Sequence, residues 1–233
     1  MSQRSARVVW QVIVSIVLPP LIYGVLLFGP AGTLAWWRAW VLVGVIALAS
    51  VVTTLTVFPG NQGLIDERFK PPIQPGQPRA DRVVLLALLV AFIGSVAFIP
   101  FDVFDLHLFR LPDPLISLAG LVLFLAGWLL TTLALRTNPF AASVVRHQTE
   151  RGQRVVDTGV YAVVRHPMYA SGVLLLEGMP LWLGSWAGAL LALVPIGILA
   201  RRIVIEERFL REELEGYRDY IERVRYRVIP FVW

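Results

Sequence analysis

The sequence predicts an all-α integral membrane protein: four transmembrane helices, then a C-terminal helical hairpin, with the N- and C-termini cytoplasmic. Three observations carry this. The 233-residue chain is 57% hydrophobic and 16% charged, too little charge to cover a soluble surface of that size. Its apolar residues fall into uncharged blocks of about 20 residues, the length that crosses a bilayer. Its arginines and lysines gather in alternate connecting loops.

Val8 to Phe28 is the first block, preceded by Arg4 and Arg7. A secretory leader also begins this way, but its apolar region runs only about 7–15 residues and ends at a small-x-small cleavage site, which is missing here. The block therefore reads as a retained span. Pro19 and Pro20 are expected to kink it, because each removes an amide donor. Ala39 to Phe58, Val83 to Phe101 and Leu115 to Leu135 supply the next three spans, each able to cross about 30 Å of hydrocarbon. Trp36, Trp37 and Trp40 read as an anchoring belt at the outer face. The stretch Pro59 to Asp81 holds five prolines and predicts a connector with a short surface helix over Leu64 to Phe69. The alternative for this stretch is a flap over a site.

Nineteen of the 21 Lys+Arg lie in the N-terminus, the loop Pro59 to Arg82, the loop Arg136 to Arg165 and the tail from Arg201. The other two, Arg38 and Arg110, lie in the alternate loops. The positive-inside rule puts those four basic segments in the cytoplasm. The net charge of +5 thus reports topology rather than nucleic acid, with anionic lipid heads as a compatible secondary partner.

Tyr169 to Ala200 carries one charge, Glu177, in 32 residues. As a single helix it would be about 48 Å long, too long for one crossing unless strongly tilted. One further crossing would also put the eight-arginine tail outside. A hairpin resolves both problems, with Pro180, Gly184 and Gly188 as candidate break points. Its first arm is short, so partial re-entry is expected. Glu177 is either protonated or paired with a neighbouring helix. The chain then divides into a four-span core over 1–135, and a loop, hairpin and tail helix over 136–233, all in one integrated domain. Ile203, Leu210, Leu214, Tyr217 and Ile221 form an apolar stripe that assigns Tyr217 and Tyr220 to packing of the tail.

The chain has no cysteine, and its three histidines lack metal-ligand spacing, so no metal site is predicted. Glycine-rich nucleotide loops and a nucleophile elbow are also missing. What remains is a polar stretch from Gln148 through Arg151, Gln153, Arg154, Val155 and Val156 to Gly159-Val160-Tyr161. It leads into Arg165-His166-Pro167-Met168-Tyr169. Beyond the hairpin come Arg202, Glu206-Glu207-Arg208-Phe209-Leu210 and Tyr217-Arg218-Asp219-Tyr220, ending in Ile229-Pro230. The hairpin sets the two stretches side by side.

This ordered set, spanning Asn138 to Trp233, resembles the isoprenylcysteine carboxyl methyltransferase family and its bacterial relatives. The resemblance implies a membrane enzyme that binds S-adenosylmethionine near the cytoplasmic interface and methylates a lipophilic acceptor. It implies that Gln148, Gln153, Arg154, Val155, Val156, Tyr161, His166, Pro167, Met168 and Tyr169 line the cofactor pocket. Arg202 and Glu206 would face the acceptor. Gln153 stands where eukaryotic members have histidine, and the Gln148–Gln153 spacing is shorter than theirs. The residue types suit the chemistry. Tyrosine rings can stabilise a sulfonium. Arg202 can hold a carboxylate bidentately. Glu206 can take a proton from an amine or thiol. The plain alternative for Arg202 and Glu206 is an i,i+4 helix-surface ion pair, and for Tyr161 and Tyr169 an interfacial aromatic belt.

The resemblance favours carboxyl O-methylation of an isoprenyl-type acid, with phospholipid N-methylation or thiol S-methylation open. The rival class is a non-catalytic membrane scaffold or carrier. A carrier would show polar groups at mid-membrane and inverted repeats, and this chain offers only Glu177 and no repeat. No obligate protein partner is inferred.

Overall fold

The computed structural model describes residues 3–233, with no strand among them. The side chain of Arg4 lies outside the described part. In chain order the helices are α1 (Gln3–Ala31), α2 (Trp37–Val57), α3 (Gln62–Arg68), α4 (Arg79–Phe101), α5 (Pro114–Thr137), α6 (Pro167–Leu183), α7 (Trp186–Glu213) and α8 (Tyr217–Arg223). Among the described residues five are long and apolar enough to cross a membrane: α1, α2, α4, α5 and α7. Each of the four predicted spans falls on one of these helices. α1 runs unbroken through Pro19 and Pro20, so the proline pair does not end it.

The reversal between α6 and α7 falls at Gly184, whose φ of +98° is a backbone conformation that favours glycine. Ser185 then caps α7 by accepting a bond from the Gly188 amide at 2.7 Å. Pro180 stays inside α6. With 17 residues, α6 is about 26 Å long, less than a full hydrocarbon core. Even so, the turn reaches the end of the bundle where α1–α2 and α4–α5 connect. A Cβ on Gly184 would lie 3.2 Å from the Arg38 guanidinium, and Ser185 donates to Asp102 at 2.5 Å. The turn therefore meets the loops at that end of the bundle.

α5 and α6 pack backbone to backbone. A Cβ on Gly178 would sit 2.6 Å from the Gly120 carbonyl oxygen, and one on Gly127 3.0 Å from that of Ser171. Without a hydrophobic drive between helices in lipid, such small-residue contact is a main source of association. Hydroxyl pairs add to it: Thr53 with Thr132 at 2.7 Å, and Thr131 with Ser171 at 2.9 Å. α7 packs on α4, and α1 on α2 and α4. The apolar core lies between these contacts and the hairpin turn, around Leu42, Ile46, Ile99, Phe124 and Met179. Trp10, Ile13, Val17, Leu21 and Val25 on α1 remain exposed, as a hydrocarbon-facing surface would be.

The opposite end gathers the start of α1, α3, the start of α4, the polar segment after α5, the end of α7 and the tail. Arg7 and Gln11 of α1 reach Asp66 of α3 at 3.2 and 2.9 Å. α3 is not a surface helix. Leu64 and Ile65 are buried, and Leu64 packs with Leu135, Ala141 and Met168. The Pro59–Asp81 stretch thus covers one side of the polar end, as its flap alternative describes. The tail also differs from a single striped helix. The chain breaks at Gly216, whose φ is +78°, and Leu214, Tyr217, Tyr220 and Val224 pack as a separate small core.

Candidate functional site

The polar segment after α5 has only two short 3-10 turns, so side chains must hold its shape. Gln148 is buried, and its amide nitrogen donates to the Phe140 carbonyl at 2.8 Å. Its own backbone amide donates to the Gln153 side chain at 2.7 Å. Arg151 donates to the Gln148 side chain and to the Pro139 carbonyl, and lies over the Phe140 ring. Gln148 and Gln153 therefore bind each other across a built turn. That pairing needs the short spacing between them.

Asp81 joins this segment to two helices. It is fully buried in the first turn of α4. One carboxylate oxygen accepts from Arg202 Nε at 2.8 Å, and the other from Gln77 at 2.6 Å and the Val145 amide at 3.1 Å. Arg202 also donates to the Ser143 carbonyl at 2.8 Å, and its guanidinium lies 5.9 Å from the centre of the Tyr169 ring. The partner of Arg202 is thus Asp81 on another helix, which replaces the surface pair with Glu206.

Glu206 and Glu207 are neighbours with different surroundings. Glu207 is buried and accepts from Arg165 at 2.7 Å, Arg227 at 3.0 Å and, more distantly, Arg211 at 3.5 Å. Arg165, also buried, donates further to the Val224 and Arg225 carbonyls at 2.6 and 2.7 Å. The Arg165 and His166 amides donate to the Tyr226 and Arg227 carbonyls, which clamps the tail onto the entry of α6. Glu206 is a quarter exposed and accepts from the Tyr169 hydroxyl at 2.5 Å. His166 lies between the two, its Nε2 3.3 Å from Glu207 and its Nδ1 4.0 Å from Glu206.

These groups surround one cavity of about 390 Å³. Gln148, Gln153, Arg154, Val155, Val156, Tyr161, His166, Pro167, Met168, Tyr169, Arg202 and Glu206 all line it. The structure therefore brings to one place the twelve residues that the sequence assigns to donor or acceptor. Leu85 and Leu199 line it too, one helical turn further into the apolar body than Asp81 and Arg202. Its lining thus combines polar and apolar side chains. Burial pushes the Tyr161 phenol up to about 12, so it stays a neutral ring at physiological pH.

Sequence reasoning missed three contributors. Asp81 reads as a routine acidic residue in a first helical turn. Ser143 contributes only a carbonyl, which no sequence pattern marks. Tyr217, read as tail packing, is buried, is one of the residues lining the cavity, and has a hydroxyl without a hydrogen-bond partner. Among the described residues no cluster of histidine, aspartate or glutamate is arranged to hold a metal ion.

No curated protein matches the chain. Residues 115–215 match the model of the phospholipid methyltransferase family. The match runs from α5 through the polar segment and hairpin to the end of α7, and takes in every cavity residue predicted from sequence. Apolar helices and this match together make the chain an integral membrane protein. The segment 115–215, a little under half of the chain, is thus similar to the phospholipid methyltransferase family, one of the isoprenylcysteine carboxyl methyltransferase-like membrane methyltransferases.

Proposed function

We propose that the protein is an S-adenosylmethionine-dependent methyltransferase with its site at the cytoplasmic face of a membrane, acting on a lipophilic acceptor drawn from the bilayer. The observation that carries this reading is the single cavity on which the polar segment, the entry of α6 and the end of α7 converge. Its volume of about 390 Å³ falls within the roughly 300–1,000 Å³ typical of ligand sites. Its residues suit a sulfonium: the Tyr161 and Tyr169 rings offer π faces and Glu206 offers negative charge. When bound, the donor supplies an electrophilic methyl group, which leaves sulfur in line as the acceptor's lone pair forms the new bond.

On this reading the Gln153–Val156 stretch, Tyr161 and His166 to Tyr169 hold the donor, while Gln148 braces the turn that carries them. Leu85 and Leu199 give an acyl or isoprenyl chain an apolar floor. Four crossing helices and a hairpin would return both termini to the cytoplasm. The cavity end carries the segments with 19 of the 21 basic residues, which supports that side.

The acceptor that fits best is one that gives up a proton, above all a phospholipid amine. Arg202 already holds a carboxylate, Asp81, and Glu206 adds a second negative charge to the same cavity. With Asp81 on its Nε, Arg202 is less free to hold a second carboxylate. For an amine, Glu206 takes the proton released on methylation, and the Tyr169 hydroxyl holds it in place. Carboxyl O-methylation is the second reading. It rests on the Nη1 side of Arg202, which neither Asp81 nor Ser143 occupies.

Purified protein in lipid nanodiscs, given isotope-labelled methyl donor, tests both. Alkali-stable label in a phospholipid headgroup is the expected result, and alkali-labile ester label would favour the second reading. No labelled lipid from amine, acid or thiol acceptors would overturn the enzyme.

A further inference from the structure

The tail beyond α7 lies outside the matched family segment, which ends at residue 215. Two of its tyrosines sit side by side with ring centroids 5.7 Å apart, and both are buried. Their hydroxyls differ. That of Tyr220 donates to the Tyr161 carbonyl at 2.7 Å and so ties the tail to the cavity wall. That of Tyr217 is enclosed and has no hydrogen-bond partner, and the residue itself is one of those lining the cavity. A buried hydroxyl left unpaired is costly, and phenylalanine would pack the same space without that cost. The ring is also fixed in place. Tyr217 packs with Leu214 and Tyr220 against Val155 and Leu210, and the clamp of Arg165 on the Val224 and Arg225 carbonyls holds the tail behind it.

We propose that Tyr217 is a binding residue of the site: its hydroxyl donates a hydrogen bond to a polar atom of the bound methyl donor, making the tail a wall of the donor site. This rests on the methyl-donor reading above. The donor is the ligand to expect because Val155, which packs against this tyrosine cluster, belongs to the Gln153–Val156 stretch. The Asp81–Arg202 pair and Leu85, by contrast, belong to the side of the cavity formed by α4 and α7. Burial, followed by the nearby Glu206 and Glu207 carboxylates, raises the Tyr217 phenol above its ordinary range, which keeps it a proton donor.

Calorimetric titration of detergent-purified protein with S-adenosylhomocysteine, wild type against Tyr217→Phe, is the test. The expected result is a Kd about tenfold weaker in the variant, the loss of one hydrogen bond. The unfolding midpoint without ligand should stay the same or rise, since the unpaired hydroxyl is gone. The shift in midpoint on adding S-adenosylhomocysteine should shrink in parallel, which provides a second readout of the same contact. Equal affinity in the two proteins overturns the proposal while leaving the methyl-donor reading standing. So does an unchanged affinity with a lowered midpoint, which marks a packing role. A wild type that does not bind S-adenosylhomocysteine removes that reading and this proposal with it.

Discussion

The two ends of the helical body hold similar charged groups and use them differently. At the hairpin turn, Arg38 lies against both the Trp37 and Trp182 rings and donates to Ser117 and the Trp182 carbonyl at 3.3 Å each. Asp102 accepts from Ser185 and from the Leu108 amide. Those bonds fix a turn and the loops beside it. At the other end, Asp81–Arg202 and Glu207–Arg165 make close ion pairs, and Arg202 and Arg165 line a cavity together with Glu206 and Tyr217. Buried charge by itself does not mark a site. A pocket of about 450 Å³ also lies at the hairpin turn beside Asp102, His107 and Gly184, so what separates the two ends is the lining: the polar-end cavity draws together Gln153, Tyr161, His166, Tyr169, Arg202 and Glu206 from distant parts of the chain.

The largest expected effect comes from breaking a pair that holds the cavity open. Asp81→Ala leaves the Arg202 charge buried without its partner, and about 3–5 kcal/mol of stability should be lost along with methyl transfer. The double variant Asp81→Asn/Arg202→Met should recover most of that stability but none of the transfer. Thermal unfolding and a labelled-methyl assay read the two quantities separately.

Next come the adjacent glutamates, which sharpen the contrast within a single turn. Glu206→Gln should lower methyl transfer about 10²–10⁴-fold for an amine acceptor, with S-adenosylhomocysteine binding kept. Its unfolding midpoint should barely move, because the residue is partly exposed and makes one side-chain bond. Glu207→Gln should do the reverse at the outset: it breaks the clamp on Arg165 and Arg227 and lowers the midpoint first. Equal losses of stability in the two variants would erase the distinction drawn here.

At the far end Ser185→Ala removes both the α7 cap and a bond to Asp102. A loss of about 1–2 kcal/mol is expected, with S-adenosylhomocysteine affinity unchanged in the calorimeter. The smallest effect concerns α3. Burial raises the Glu67 carboxyl, but hydrogen bonds from Lys70 and Arg146 outweigh it and hold it below the ordinary value. A depressed carboxylate stabilises fully above its unfolded pKa of about 4.3 and loses that contribution as pH falls through the folded value. Wild-type stability should therefore decline on acidification below about pH 4, and less so in Glu67→Gln.

Much of this architecture was legible in the chain. Apolar blocks place four of the helices, because bilayer thickness leaves few other lengths. Parity of the basic loops requires a reversal between Tyr169 and Ala200, though it does not locate the turn at Gly184 or show how far it reaches. That depth depends on Gly178 meeting Gly120 and Phe124, a fit between helices that periodicity does not encode. The site was legible where short motifs carry it, from Gln148 to Tyr169 and again at Arg202 and Glu206. It was illegible where the partner is remote: Asp81 and Arg202 are 121 positions apart. Tyr217 was hidden for a different reason, since its apolar spacing is that of a core residue and only its unpaired oxygen separates it from one.

The central claim is that one cavity at the polar end holds the methyl donor, and photocrosslinking tests it most directly. Purified protein irradiated with radiolabelled S-adenosylmethionine should yield label on peptides within residues 138–170 and 199–220, competed away by S-adenosylhomocysteine. Label confined to the loops around Arg38, Asp102 or Arg110, or no competable label, would contradict the account.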